Sequence, residues 1–568
     1  MDDCTAPPPP AHSHTRRPSP IVTNQFNYHH ITLHTKKNHS IDRYPSKSHA
    51  QRLAAKLSVS QGLIVLAATP PTTYPDSDQP VPFRQDRYFF YLTGCNEPGC
   101  YVTYDIGKDI LTLWLPAIDE SRVVWTGRGS TVDEALERYD VDRARYIKAD
   151  GKVGWRHCLG RRSLVDADAG PCEERLSVAE AIAVVYTDRV WTVPFFGKGA
   201  RNRRTVMANI TGLIERREKL RRAMDACRVI KDEHEIDLIR RANEITAAAH
   251  TAVLKNIHLF TNEAEVEAAY TAVCIAKHAK RQGYSPIAGS GPNASVLHYD
   301  SNNEDFADRQ MLVLDAGCEV ECYASDVTRT IPLNKKNPGH WPSEEAERVY
   351  RLVEKVQEAC IAEMRPGKSF VEITYMARRM TMEGLLELGV LKGDEEEIWK
   401  AGTVVGFFPH GLGHHLGLEV HDVSPVAHPP AADTAASSLA EGVLSAGGPP
   451  FALPRRFDFA NTTSSGPLYS STAASELEPG MVVTIEPGVY FNRFLLEQFF
   501  LSDPKHSQFI DEKVLERYWK VGGVRIEDDI LVTRKGYENL TSAPKGEAML
   551  EVVREGARGG CCGRWNGL

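Results

Sequence analysis

The sequence predicts an α+β chain in which a mixed α/β N-terminal domain precedes a larger domain of long helices and antiparallel strands. Three observations predict it. The first half holds short apolar runs separated by turn residues, at 62–68, 100–105 and 110–115. A helical repeat then opens near Leu220. Beyond it helices and strands come in groups instead of alternating, the pattern of segregated α+β packing.

Residues 1–42 are rich in Pro, His, Ser and Thr and read as a disordered extension. Residues 44–57 carry apolar and small side chains at helical spacing. The run GLIVLAA at 62–68 reads as a buried strand, and 88–92, 100–105, 110–115 and 122–125 read as further short strands. The N-terminal domain is expected over 43–215 and the second domain over 222–545. In the helical segment 228–256, Ile230, Ile236, Ile239 and Ala242 oppose charges on the other face. A helix at 263–279, a strand-rich stretch at 285–331, helices at 343–364 and 370–388, and strands reaching Thr533 follow. Residues 427–474 are Ala, Ser, Pro, Gly and Thr without a sustained period, which a compact domain rarely contains. They read as a surface insertion or as a retained intron. Residues 546–568 are set apart as a C-terminal tail, Gly- and Cys-rich from Arg558.

Composition narrows the function classes. A net charge of −8 and a pI near 6.2 argue against nucleic acid, whose phosphates need a basic field. The 12 cysteines are scattered without a CxxC, as in a reduced intracellular protein. No apolar run approaches the roughly 18 residues of a membrane span. The N-terminus lacks the apolar core of a signal peptide. A cytoplasmic protein without a membrane partner is expected.

Acids at the ends of apolar strands carry the chemistry. In MLVLDAG (311–317) an apolar strand ends on Asp315, and SDVTRT (325–330) places Asp326 in a β-prone setting. A hairpin would bring the two together; alternatively Asp315 is a turn residue and Asp326 pairs with Arg329. The stretch PHGLGHHLGLEVHD (409–422) interleaves His410, His414, His415 and His421 with glycines that disfavour a helix. It reads as an irregular segment from which imidazoles converge, with His415 on the surface or in packing. MVVTIEPGVY (481–490) repeats the strand-with-acid design at Glu486, and GGVRIEDDI (522–530) sets Arg525 and Glu527 on one face of a strand. A buried, unpaired carboxylate is costly, so a set of such acids asks for cations. Four carboxylates with an imidazole form a hard, oxygen-rich donor set that suits Mn²⁺, with Zn²⁺ or Co²⁺ as alternatives. Two such ions about 3.5–4 Å apart can hold a bridging hydroxide and stabilise a tetrahedral oxyanion.

At these residues the chain resembles the pita-bread metallopeptidases, aminopeptidase P and prolidase in particular. The blocks LDAG, SDVTRT, HGLGHHLGLEVHD, TIEPGVY and VRIEDD follow in that family's order. The blocks YPSKSHAQR, PFRQDRYFFYLTGC, PIAGSGPNASVLHYDSN and VLERYWKVGGVRIEDD are similar to fungal aminopeptidase P. The resemblance implies a C-terminal pita-bread catalytic domain behind the mixed α/β domain. It implies hydrolysis of the bond between an N-terminal residue and a penultimate proline, with two divalent metals, most readily Mn²⁺, in each subunit. Asp315 would chelate one metal, Asp326 and Glu527 would bridge, and His414 and Glu486 would complete the other shell. Glu486 would also carry a proton from the bridging water to the leaving amine. His298 would lie beside the scissile carbonyl, with His410 and His421 around the substrate and the leaving proline; all three are expected as donors. Arg525 and Tyr490 would orient the bridging carboxylate and close the site. The resemblance further implies a homo-oligomer, dimer or tetramer. A prolidase restricted to Xaa-Pro dipeptides is the alternative. A non-catalytic binding module of the same fold typically loses ligands that this chain retains.

Overall fold

The computed structural model describes residues 43–147, 185–186, 217–424 and 476–559. The expectations for 1–42, for the 427–474 segment and for the end of the tail lie outside the described residues.

The N-terminal part opens with α1 (Ser46–Leu57) and β1 (Leu63–Ala67). A second helix, α2 (Arg87–Thr93), precedes β2 (Tyr101–Asp105) and β3 (Ile110–Leu115). Then come α3 (Val123–Thr126), α4 (Val132–Arg138), β4 (Arg143–Tyr146) and β5 (Val185–Tyr186). The sheet order is β4-β3-β2-β1-β5, with β1–β2 and β2–β3 antiparallel and β3–β4 and β1–β5 parallel. It is the mixed sheet expected. Two strand expectations fail. The aromatic run at 88–92 is helical, because Asp86 accepts from the Phe89 amide as N-cap and Gly94 turns left-handed at the other end. Phe89, Phe90 and Tyr91 are buried between sheet and neighbouring helices, so β-like composition reflects burial here. Residues 122–125 likewise enter the short helix α3.

Residues 217–229 form a helix, and α5 (Glu233–Asn256) is a separate one. The single helix expected over 228–256 is broken because Asp232 builds a capping box with Glu235. Arg52 of α1 seals the break by donating to the carbonyls of Cys227 (2.8 Å) and Ile230 (2.7 Å). Next come α6 (Glu263–Ala276), β6 (Arg281–Gln282), β7 (Ile287–Ser290) and β8 (Met311–Asp315). They lead to β9 (Cys318–Val320), β10 (Tyr323–Ala324) and β11 (Thr328–Pro332). Helices α7 (Glu344–Ala362), α8 (Phe370–Glu387) and α9 (Glu395–Ala401) follow. The last strands are β12 (Val482–Ile485), β13 (Gly488–Tyr490), β14 (Gly523–Arg525), β15 (Asp528–Thr533) and β16 (Gly536–Asn539). Their pairings, β11-β8-β7, β10-β9-β6, β12-β15-β16 and β13-β14, are all antiparallel. This is the α+β arrangement the grouping of elements predicts.

The chain set apart as a tail begins as a helix, α10 (Gly546–Gly559), whose Met549, Leu550 and Val553 are buried. It packs on α5 and belongs to the folded body. One contiguous apolar core runs from Tyr44 to Val553 and joins the N-terminal sheet to the later sheets. Two N-terminal arginines strengthen that junction: Arg87, buried, bonds Glu319 and Glu419, and Arg84 reaches the same two acids.

Arg329 of β11 is fully buried and pairs with Asp528 at 2.7 Å. It also donates to the carbonyls of Thr328, Glu527, Ala543 and Pro544. It does not serve Asp326, the alternative the sequence left open. Removing one partner of a buried pair strands the other charge, at a cost of about 3–5 kcal/mol. Arg329→Met should therefore lower the urea midpoint of unfolding markedly. Lys545 also reaches Asp528, at 2.7 Å, and an unchanged midpoint would show that Asp528 is neutral or satisfied by Lys545 alone.

Candidate metal centre

Strand pairing assembles the acids. Asp315 ends β8 and stands opposite Thr328 in the β8–β11 ladder. Asp326 precedes β11, and the small hairpin of β9 and β10 returns the chain so that the two carboxylates meet. Tyr284 shows how close they are: its hydroxyl lies 2.5 Å from Asp315 Oδ1 and 2.6 Å from Asp326 Oδ1. Glu486 and Glu527 come from a matched interruption. The ladder β12–β15 stops at Ile485 opposite Asp528, and β13–β14 resumes at Gly488 opposite Arg525. The residues between, 486–487 and 526–527, turn their acids inward. Arg525 and Glu527 thus belong to a broken strand, where a continuous one was expected.

The 409–422 stretch is irregular, as its glycines require, and touches β12 through a single bridge, His415 to Val483. The amide of Thr484 donates to the His414 carbonyl (2.9 Å) and that of Glu486 to Leu412 (2.8 Å). Gly413 permits the approach, since a Cβ there would sit 1.9 Å from the Thr484 carbonyl oxygen. The result fixes His414. Its Nδ1 faces the His415 carbonyl at 3.0 Å and so carries the proton, leaving Nε2 to point at the acids. Nε2 lies 3.3 Å from Asp326 and 3.4 Å from Glu486. Ligand atoms of Asp326, His414 and Glu527 all fall within 4.8 Å of one another.

Arg525 braces the set from behind. It donates to Asp315 Oδ2 (2.5 Å), to the Tyr490 hydroxyl (2.9 Å) and to Thr328 Oγ1 (3.2 Å). Thr328 in turn donates to Glu527 Oε2 at 2.7 Å. His410 Nδ1 donates to the Gly411 carbonyl at 2.7 Å, so Nε2, 2.8 Å from the Tyr490 hydroxyl, accepts. Both nitrogens of His410 are therefore engaged. Its ring packs against Phe408 and Tyr490. His421 lies edge-on to His414 with ring centroids 4.3 Å apart. His298 and His421 are exposed. Burial, then the charge of Arg525, pushes His410 down to about 3, and the charge of His414, then burial, does the same to His421. Asp422, next to His421, is buried between Arg228 (2.6 Å) and Lys231 (3.2 Å). His415 is buried in packing.

The electrostatics describe a pocket with surplus negative charge. Burial raises Glu486 to about 7, and burial together with Asp326, Glu486 and Asp315 drives Glu527 well above the carboxylate range. Burial raises Asp326 too, against the pull of His414. Burial opposes the imidazolium of His414, but the Asp326 and Glu486 carboxylates outweigh it and push its pKa up to about 9. Protons are poor compensation for so many acids; divalent cations are good compensation. The donor set, four carboxylates and one imidazole with its tautomer fixed, fits two hard divalent ions.

An antiparallel framework that gathers such donors defines a metal-dependent hydrolase. Residues 237–534 match the model of metallopeptidase family M24, and residues 47–153 match that of the aminopeptidase P N-terminal domain. The chain belongs to metallopeptidase family M24. It is 45% identical over 536 residues to a probable Xaa-Pro aminopeptidase of Pyrenophora tritici-repentis, covering 93% of this chain and 74% of that one. A probable Xaa-Pro aminopeptidase of Aspergillus clavatus is 45% identical over 520 residues, covering 91% and 94%. Among solved structures, the low-pH form of Escherichia coli aminopeptidase P superposes with a TM-score of 0.64 at 26% identity, covering 90% and 99%. The protein is thus an enzyme with the pita-bread fold of this family.

Sequence reasoning missed Tyr284. It carries no metal-binding signature, and long-range pairing on both sides delivers it to the acids: Gln282 with Cys318 before it and Ile287 with Asp315 after it. Burial, then the charges of Asp315, Asp326 and Glu527, keep its hydroxyl protonated, so it donates to one of the two aspartates at a time. Tyr284→Phe should weaken divalent-metal binding by about 10–100-fold, as groups that orient ligands do. Metal titration of the purified protein reads this; an unchanged affinity would mean that the hydroxyl leaves the aspartates once metal binds.

Proposed function

We propose that this enzyme removes the N-terminal residue from peptides whose second residue is proline. The observation that carries the reading is the convergence of Asp326, His414 and Glu527, with Glu486 and Asp315 alongside, in a chain whose relatives are named Xaa-Pro aminopeptidases. Two divalent cations, Mn²⁺ before Zn²⁺ or Co²⁺, bound by Asp315, Asp326, His414, Glu486 and Glu527, would supply Lewis acidity and lower the pKa of water. The reading extends to a homo-oligomer, dimer or tetramer, working in the cytoplasm.

Glu486 is the acid that can move a proton. Asp315, Asp326 and Glu527 are buried, whereas Glu486 is partly exposed, 3.9 Å from His410 Nδ1. It takes a proton from the attacking water and passes it to the proline nitrogen as the bond breaks. Arg525 holds Asp315 directly and Glu527 through Thr328, so the acids keep their positions while charge moves. A proline after the scissile bond has no amide hydrogen and a fixed φ. The site asks for no such hydrogen. His298 and His421 supply donors for the substrate's carbonyl oxygens, and the ring of His410 supplies apolar contact for the pyrrolidine.

Asp326→Ala and Glu527→Ala should each abolish turnover and lose metal, because a bridging acid serves both ions. Normal turnover at full metal content in either variant would break the assignment. Glu486→Gln should retain part of its metal while turnover collapses. Specificity gives a separate test with Mn²⁺-loaded protein. Arg-Pro-Pro should be cut after Arg, and Arg-Ala-Pro far more slowly. Cleavage restricted to Xaa-Pro dipeptides would make the protein a prolidase. Failure on every Xaa-Pro bond with both metals bound would overturn the reading.

A further inference from the structure

Glu263 is the first residue of α6, and its side chain is wholly buried. Helix capping does not explain it, since Asn262 and Glu265 already close the capping box there. Its Oε1 accepts from Ser290 N (2.7 Å), Ser290 Oγ (2.6 Å), Asn293 Nδ2 (3.1 Å) and Arg309 Nη1 (3.2 Å). Its Oε2 accepts from the Tyr299 hydroxyl (2.8 Å), Asn303 N (3.1 Å) and Glu304 N (3.0 Å). Apart from Arg309, every donor lies in the segment 290–304, on both sides of His298. One carboxylate therefore gathers the two limbs of the loop that carries this histidine.

The loop is pinned on its other side as well. Its turn at 291–295 packs on β14, the strand of Arg525. There Gly522 has φ +74°, and a Cβ would fall 1.7 Å from the Gly291 carbonyl oxygen. Asn492 donates to the Ser295 carbonyl at 3.1 Å. His298 itself is exposed, so its own contacts do not set its place. Its position comes from the loop's ends.

We propose that Glu263 is a positioning residue for His298: it acts on the reaction only by holding the 290–304 loop so that this imidazole faces the substrate. The proposal rests on the reading of His298 as a substrate-facing group. Glu263→Gln keeps the shape but turns an amide N–H₂ toward donors, so part of the loop loses its acceptor. Misplacing a substrate-facing group by about 1 Å costs on the order of 100-fold in rate.

The test is a double-mutant cycle on full-length, metal-loaded protein, reading kcat and KM on Arg-Pro-Pro together with metal content. Glu263→Gln and His298→Ala should each lower kcat/KM by about 10–100-fold at unchanged metal content. The double variant should be no worse than His298→Ala alone. Should Glu263→Gln fail to fold, Tyr299→Phe removes a single donor and should show the same non-additivity on a smaller scale. Losses that multiply in the double variant would overturn the proposal, as would full activity of Glu263→Gln. Full activity of His298→Ala would instead remove the reading on which it rests.

Discussion

Asp315, Asp326, Glu486 and Glu527 repel one another across a small buried space, and the surrounding structure is organised to bear that repulsion. Like charges at such distances cannot all remain ionised without compensation. The protein supplies one guanidinium, Arg525, and one imidazole, His414, directly against the acids. The remainder is left for cations. This single imbalance explains why the hydroxyls of Tyr284 and Thr328 are aimed inward. It also explains why Arg329 and Asp528, one residue from Thr328 and Glu527, are tied off as a separate buried pair. Neutralising that pair internally keeps its charge out of the site.

Much of this was legible in the sequence, for identifiable reasons. An acid at the end of an apolar run, as in MLVLD or VVTIE, announces a buried carboxylate because hydrophobic periodicity is a local property. The glycines among the histidines excluded a helix for the same local reason. What escaped is what pairing decides. Tyr284 reaches the acids through the register of β6 on β9 and of β7 on β8, and no pattern near RQGYSP encodes either. The run RYFFYLT looks like a strand by composition, yet the Asp86 cap and burial among neighbours make it a helix. The direction of the His410 nitrogens depended on Gly411 and Tyr490, far apart in sequence.

The N-terminal part also shapes the site indirectly. Arg84 and Arg87 reach across to Glu319 and Glu419, the latter lying in the same irregular stretch as His414 and His421. Arg228 and Lys231, at the break before α5, hold Asp422 beside His421. These charged anchors add to the backbone bonds that tie this irregular segment to β12.

The five candidate metal donors sit on five stretches of chain that meet when β8 pairs with β11, β12 with β15, and 409–422 bonds to β12. The unfolded chain therefore does not hold these carboxylates beside His414, although 409–422 keeps four histidines close together in sequence. Folding has to close long loops before the acids come together, and each such closure must be offset by the contacts it creates. The centre therefore requires the ladders to be in register. Cations held by all five residues would stabilise the native state, less whatever the histidines of 409–422 bind in the unfolded chain. With those residues as the metal ligands, resistance to unfolding and capacity to catalyse would rise and fall with the same metal supply.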